Sequence, residues 1–336
     1  SSCAPAHHGM ARVRVGFCSL ESHLECLYGR CANKGTRVQL PLYAARFPVL
    51  EMTVSNYSIP TPEQTQGWVD SAPKGFLFHI KLLGLFAFGQ IEAVSLPPAA
   101  RALLPESPSQ VQLADLSSEV LDAVWGAWHR ALEPIRAAGM LGRVFCQFPA
   151  EFAPTAASIE RIREIAGRAA PELCAFEFRS LGWDQGEAAR LLAAVGAVRV
   201  LSNDNSSFAP NGRNYAEGAA TPPGGHAYFR VHRRPQQAGT GLFREGVTDA
   251  EIAATPEGFL SEEELRELLG VVAAAAEACG PTGQVDVLFS TVGRTASLVN
   301  AERMQDALGP LHVDWGDRGS IPVPAPRKAT RWGKKK

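Results

Sequence analysis

Eight short apolar runs, each closed by a polar or ionisable residue and separated from the next by helical patterning, constrain this chain more than any other feature. The runs cover residues 13–17, 49–52, 76–80, 144–148, 174–178, 198–201, 227–231 and 285–289. Strands joined through helices pair in parallel, because a parallel neighbour is reached only by a crossover. Eight such units favour closure, so the pattern predicts an α/β fold: a single TIM-like (β/α)8 barrel of parallel strands over residues 11–320. An open doubly wound sheet would instead place a glycine-rich phosphate turn after its first strand. Here Gly16-Phe17-Cys18-Ser19 leads into no G-x-G-x-x-G, and no G-x-x-x-x-G-K-[ST] occurs, which argues against a nicotinamide or P-loop nucleotide enzyme.

A barrel of this type needs about 250 residues. The remainder of the 336 is expected as a helical insertion after the third strand, at about 90–140, and a basic, disordered tail at 321–336. The insertion begins Pro- and Ser-rich and continues as an amphipathic helix through Val124, Trp125, Trp128, Leu132 and Ile135, where Pro134 should kink or split it. Trp125 and Trp128, three apart on that helix, read as core. Thr61-Pro62-Glu63-Gln64 has the form of a helix start with a capping box, as does Ser261-Glu262-Glu263-Glu264, whose helix should end at Gly280. Residues 203–225, dense in Asn, Pro and Gly, read as a long lid or disordered loop after strand six.

Composition removes further classes. No apolar run approaches the ~20 residues of a membrane span. Residues 327–336 hold six Lys or Arg and no acid, which leaves 27 basic against 34 acidic residues elsewhere and an acidic body. Such a body does not suit a nucleic-acid groove spread over the fold, although the tail could touch nucleic acid. Cys146, Cys174 and Cys279 lie in apolar patterns, so the seven cysteines read as reduced thiols of a cytoplasmic protein rather than a secreted disulfide frame. An organellar targeting peptide upstream stays open. Cys18, Cys26 and Cys31 with His23 could hold zinc, but their spacing lacks the usual close cysteine pair, and free thiols are the simpler reading. Cys18 as a nucleophile with His232 as its base is also open.

A parallel barrel gathers the C-terminal ends of its strands on one face. That rule brings Glu51, Lys81, Gln147, Glu177, Arg179, Asp204, Arg230 and His232 to one mouth. Two readings follow. Glu51 and Glu177 could act as general acid and base, with Lys81 and His232 beside them in the catalytic set. Alternatively, the carboxylates pair with Lys81, Arg179 or Arg230 as a buried ionic plug. Glu51, Glu177, Asp204 and His232 also resemble a divalent-metal ligand set, but three nearby cations would repel a metal and better suit an anionic substrate, so no metal ligand is assigned.

Several blocks together resemble the YecE-like family, a TIM-barrel domain of unknown function. They are Leu50-Glu51-Met52, Tyr57-Ser58-Ile59-Pro60, Trp68, Gly75-Phe76, Phe78-His79-Ile80-Lys81, Gln147-Phe148-Pro149, Glu177-Phe178-Arg179 with Trp183, Tyr228-Phe229-Arg230-Val231-His232, and Asn300-Ala301. The resemblance implies the same barrel, with its shared charged residues at Glu51, Lys81, Glu177, Arg179, Arg230 and His232. It implies no reaction. This chain departs from the family pattern at Cys18-Ser19-Leu20-Glu21, Thr53, Ser180, Arg233 and Ser290-Thr291, which thins the amide and glycine support around those charges. Taken together, the expectation is a hydrolase- or lyase-type enzyme acting on a small anionic or polyhydroxylated substrate. Its substrate-binding residues are expected to be Arg179, Arg230, Asp204, Gln147, Tyr57 and Asn300. The alternative is a catalytically inactive barrel that binds a small anion, or nucleic acid through the tail.

Overall fold

The computed structural model describes residues 9–315, apart from 22–23, 106–107, 181, 184, 203–224, 233–258, 261 and 291–294. Its first three strands are β1 (Arg12–Phe17), β2 (Val49–Met52) and β3 (Leu77–Lys81). A two-stranded antiparallel ribbon follows, β4 (Gln90–Glu92) with β5 (Gln110–Gln112). Then come β6 (Leu141–Phe148), β7 (Cys174–Phe178), β8 (Val198–Ser202), β9 (His226–His232) and β10 (Gln284–Ser290). Apart from the ribbon, the strands pair in parallel and close in the order β1-β10-β9-β8-β7-β6-β3-β2. All eight apolar runs are staves of this barrel, with ends displaced by three residues at most.

The join between β1 and β2 rests on Gly16 and Tyr43. A Cβ on Gly16 would stand 2.0 Å from the Val49 carbonyl oxygen, so only glycine permits the approach. The Tyr43 hydroxyl then donates to Val49 O at 2.8 Å and accepts from the Phe17 N–H at 2.8 Å.

The insertion after β3 is less helical than the sequence suggests, because its Pro- and Ser-rich half forms the ribbon with the short helix Pro98–Arg101. Its long helix, Ser118–Ala137, runs through Pro134 without splitting. Val124, Trp125, Trp128, Leu132 and Ile135 are all buried, on both sides of the proline. That burial outweighs the single backbone bond a proline removes in the last turn. Ser117 caps this helix through the Val120 N–H, and Thr155 caps Ala156–Ala169 through the Ser158 N–H. The capping box forms as read: the Gln64 N–H donates to Thr61 Oγ1 at 3.3 Å and the Thr61 N–H to Gln64 Oε1 at 2.8 Å. The helix Glu262–Cys279 ends at Gly280, whose φ of +69° needs glycine. Ser261, His23, most of the 203–225 loop and the basic tail lie outside the described residues.

Strand alternation turns every second side chain into the barrel, where the polarity is layered. Val49, Phe145, Ala175, Val200, Tyr228 and Leu288 fill the waist. On the same inward positions, Arg14, His79, Arg143, His226 and Asp286 lie toward the strand starts, and Glu51, Lys81, Gln147, Glu177 and Arg230 toward the ends. No helix among the described residues is long and apolar enough to cross a membrane. The six described cysteines are free thiols, with Cys18, Cys146, Cys174 and Cys279 buried and Cys26 and Cys31 half-buried.

Candidate functional site

Five strand ends build the mouth: β2 brings Glu51, β3 Lys81, β6 Gln147, β7 Glu177, and β9 Arg230 with His232. Arg230 is its hub. Its Nη1 donates to Glu177 Oε2 at 2.7 Å, its Nη2 donates to Glu51 Oε1 at 3.2 Å, and its Nε lies 3.1 Å from Glu51 Oε2. The guanidinium also lies over the Phe145 ring, 4.6 Å from its centroid. Glu51, Glu177 and Arg230 are all buried. A charge taken that far from water persists only when paired, and one guanidinium here serves two carboxylates.

The carboxylates are therefore not equivalent. Burial by itself would raise the Glu177 pKa, but Arg230, then His232 and Arg179, outweigh it and hold the group at about 2. Arg179 Nε donates to Glu177 Oε1 at 3.2 Å. Glu177 is thus a permanent anion at neutral pH, which suits holding Arg230 and Arg179 better than carrying a proton. Glu51 takes a third interaction from the buried Tyr228 hydroxyl, which donates to Oε2 at 2.8 Å.

Lys81 differs from these. Its Nζ donates to Gln147 Oε1 at 3.1 Å, and the same oxygen accepts from Arg230 Nη1 at 3.3 Å. No carboxylate among the described residues is within ion-pair distance of Lys81. Burial lowers its pKa, and Arg230 adds to the fall, against the raising effect of Glu51 and Glu177. Its backbone is held too, since Ser55 Oγ donates to Lys81 O at 2.5 Å.

Other candidates stand apart. Tyr57 follows the short helical turn Val54–Asn56 after β2 and is 72% exposed. Asn300 is buried in the helix Ala296–Leu308, where its Oδ1 accepts from the N–H of Leu260, just ahead of the helix Glu262–Cys279, at 2.9 Å. Asp204 lies outside the described residues. Cys18 is inside the mouth, its Sγ 3.6 Å from the Leu288 carbonyl oxygen, and burial pushes its thiol pKa far up despite the nearby Arg230. Such a thiol makes a poor nucleophile. Among the described residues no group of three or more His, Cys, Asp or Glu could hold a metal ion.

Two residues of interest, named in the sequence only through the family resemblance, were given no role there. Tyr228 looked like one more aromatic in an apolar run, and only its inward parity with Arg230 could have flagged it. Glu21, just past β1, sits at a left-handed φ of 45°. Burial raises its carboxyl to about 7, even though Ser297 Oγ donates to Oε1 at 2.6 Å. Strain and a displaced pKa together are common near functional sites.

A closed ring of eight parallel strands, with ionised side chains converging at the strands' C-terminal ends, defines a TIM-barrel protein. Within that class the chain belongs to the family described as protein of unknown function DUF72, whose model matches residues 14–325. This is the family that the YecE-like blocks resembled. Two crystal structures of its members show the same fold. The DUF72 family protein from Enterococcus faecalis superposes with a TM-score of 0.63 at 17% identity, covering 88% of this chain and 95% of that one. The DUF72 family protein from Thermotoga maritima gives 0.61 at 19% identity, covering 89% and 99%. No curated protein matches the chain.

Proposed function

We propose that the mouth is the active site of a small-molecule enzyme, of hydrolase or lyase type, whose substrate is a small anion or polyhydroxylated acid. The observation that carries this reading is Lys81. Lys81 is half-buried, its hydrogen-bond acceptor is the neutral Gln147 amide, and burial lowers its pKa. A desolvated ammonium without a contacting counter-charge gains most from an anionic partner. A lowered pKa also eases release of its proton.

Arg230 is already committed to Glu51 and Glu177, so in this reading the three supply a fixed electrostatic platform. Proton transfer falls first to Lys81 and then to Glu51, whose carboxylate Tyr228 orients. Glu177 stays ionised and fixes the two arginines, and Arg179 and His232 orient the substrate from the rim. The two-carboxylate acid/base scheme therefore gives way to a lysine-centred one.

The test is a thermal-shift panel of sugar acids, hydroxy acids and neutral sugars, without phosphates, run on the native chain, Lys81→Met and Lys81→Arg. Anions should raise the melting temperature of the native chain and neutral sugars should not, and Lys81→Met should lose the response. Lys81→Arg keeps the charge but cannot release its proton, so it should bind yet fail to turn over any substrate found. An unchanged response in Lys81→Met, or no response from any anion, overturns the reading.

A further inference from the structure

We infer that the opposite end of the barrel holds a second anion-binding site, built by Arg143, Arg14 and His226 and suited to a small oxyanion of the phosphate class. Arg143 is 4% exposed. Its backbone N–H donates to His79 Nδ1 at 2.9 Å, but its guanidinium has no hydrogen-bond or ion-pair partner among the described residues. Among those residues Asp286 is the one carboxylate whose charge acts on it, and a guanidinium so largely withdrawn from water gains from a further counter-charge.

The backbone aims this side chain deliberately. Between Phe78↔Leu141 and Ile80↔Val144 the β3–β6 register shifts, so Gly142 and Arg143 both oppose His79. A β-bulge of this kind redirects side chains, and it recurs beside functional sites. Gly142 makes the bulge fit, since a Cβ there would stand 2.6 Å from His79 Nδ1. Arg143 then falls on the inward parity of Phe145 and Gln147, below the apolar waist.

The groups facing it come from four other strands. Arg14 of β1 is 25% exposed at its side chain, with Nη1 3.8 Å from Asp286 Oδ1. From β3, His79 Nε2 lies 3.2 Å from Asp286 Oδ2, while Gln284 of β10 donates to the same oxygen at 2.6 Å. His226 of β9 is half-buried, and its Nδ1 is buried without a partner. Burial first, then Arg143, lower the His226 pKa to about 4, against the raising effect of Asp286. Two arginines thus face one aspartate. Asp286 Oδ1 lacks a hydrogen-bond donor. A dihydrogen phosphate would satisfy both sides, its anionic oxygens on Arg143 and Arg14 and a P–OH donated to Asp286. The waist of Phe145, Tyr228 and Leu288 separates this site from the mouth, so it does not depend on the function proposed there.

The experiment is a titration of the full chain with inorganic phosphate at pH 6, followed by the imidazole resonances of His226. Native protein and Lys81→Met should both show a saturable shift of His226 toward its imidazolium position. Arg143→Met and Arg14→Gln should weaken binding at least about tenfold. In phosphate-free buffer Arg143→Met should melt no lower than the native chain, since it gives up no side-chain hydrogen bond or close ion pair; a lower melting point would mark a structural arginine and overturn the proposal. So would an unmoved His226, or full binding in Arg143→Met. Should Arg143→Met not fold, Arg14→Gln carries the same test. A loss of signal in Lys81→Met alone would assign the phosphate to the mouth and refute the second site.

Discussion

Replacing Arg230 by methionine strands two buried carboxylates at once. The cost can be worked from Glu177, whose carboxyl is lowered from 4.5 to about 2 and is almost wholly buried. That displacement corresponds to about 3 kcal/mol of folding stability at neutral pH. A lowered carboxyl stabilises the fold fully above the unfolded value of 4.5 and loses that contribution as the pH falls toward 2. Arg179 and His232 would retain part of it, but Glu51 loses its ion pair as well. The net expectation for Arg230→Met is a loss of about 3–5 kcal/mol at pH 7, the usual range for breaking a buried pair from one side. Urea denaturation at pH 7 and pH 3 would measure it, and the variant should show a flatter acid dependence than the native chain. Arg230→Met/Glu177→Gln, which removes one stranded charge, should recover part of the loss. A loss below about 1 kcal/mol, or a double variant worse than the single, would refute the reasoning that Arg230 answers both carboxylates.

Three further outcomes are expected. Glu21 is raised to about 7, so its contribution to stability is complete below 4.5 and is lost as the pH rises through 7; Glu21→Gln should remove that decline and gain about 1–3 kcal/mol at pH 8, read from denaturation curves across pH 4–8. Tyr228→Phe deletes the donor to Glu51 Oε2 without emptying space and should cost about 1–2 kcal/mol by urea denaturation, with Arg230 still holding the carboxylate. Gly142→Ala drives a methyl group into the His79 ring and should cost about 1–3 kcal/mol, while the same change at Gly167, where an added Cβ meets nothing, should not destabilise.

The barrel was legible because its strands are apolar on both faces, a pattern that survives without knowledge of any neighbour. Boundaries slipped where the pattern breaks: β6 starts at Leu141, before a glycine and an arginine that lie outside the apolar run but form the bulge. At the mouth, charges ending apolar runs announced Glu51, Lys81, Glu177 and Arg230 correctly as neighbours, since strand ends in a parallel barrel must converge. What no spacing reveals is pairing. That one guanidinium serves both glutamates, leaving Lys81 against a neutral amide, depends on side-chain reach across the ring. Asn300 shows the opposite difficulty, because a buried amide on an outer helix and one at a rim look alike in sequence. His79 and Asp286 did carry a signal. Each is the one polar residue at the middle of an otherwise apolar triplet, Phe78-His79-Ile80 and Val285-Asp286-Val287, and inward parity would have placed them together.

The side chains of Phe145, Tyr228, Leu288, Val200, Ala175 and Val49 leave the molecule a blind cup rather than a conduit. If the mouth is the active site proposed above, a reactant that enters at the rim departs through the same doorway once converted. Product and fresh reactant then contend for one exit, and a lingering product would throttle turnover however fast the chemistry runs.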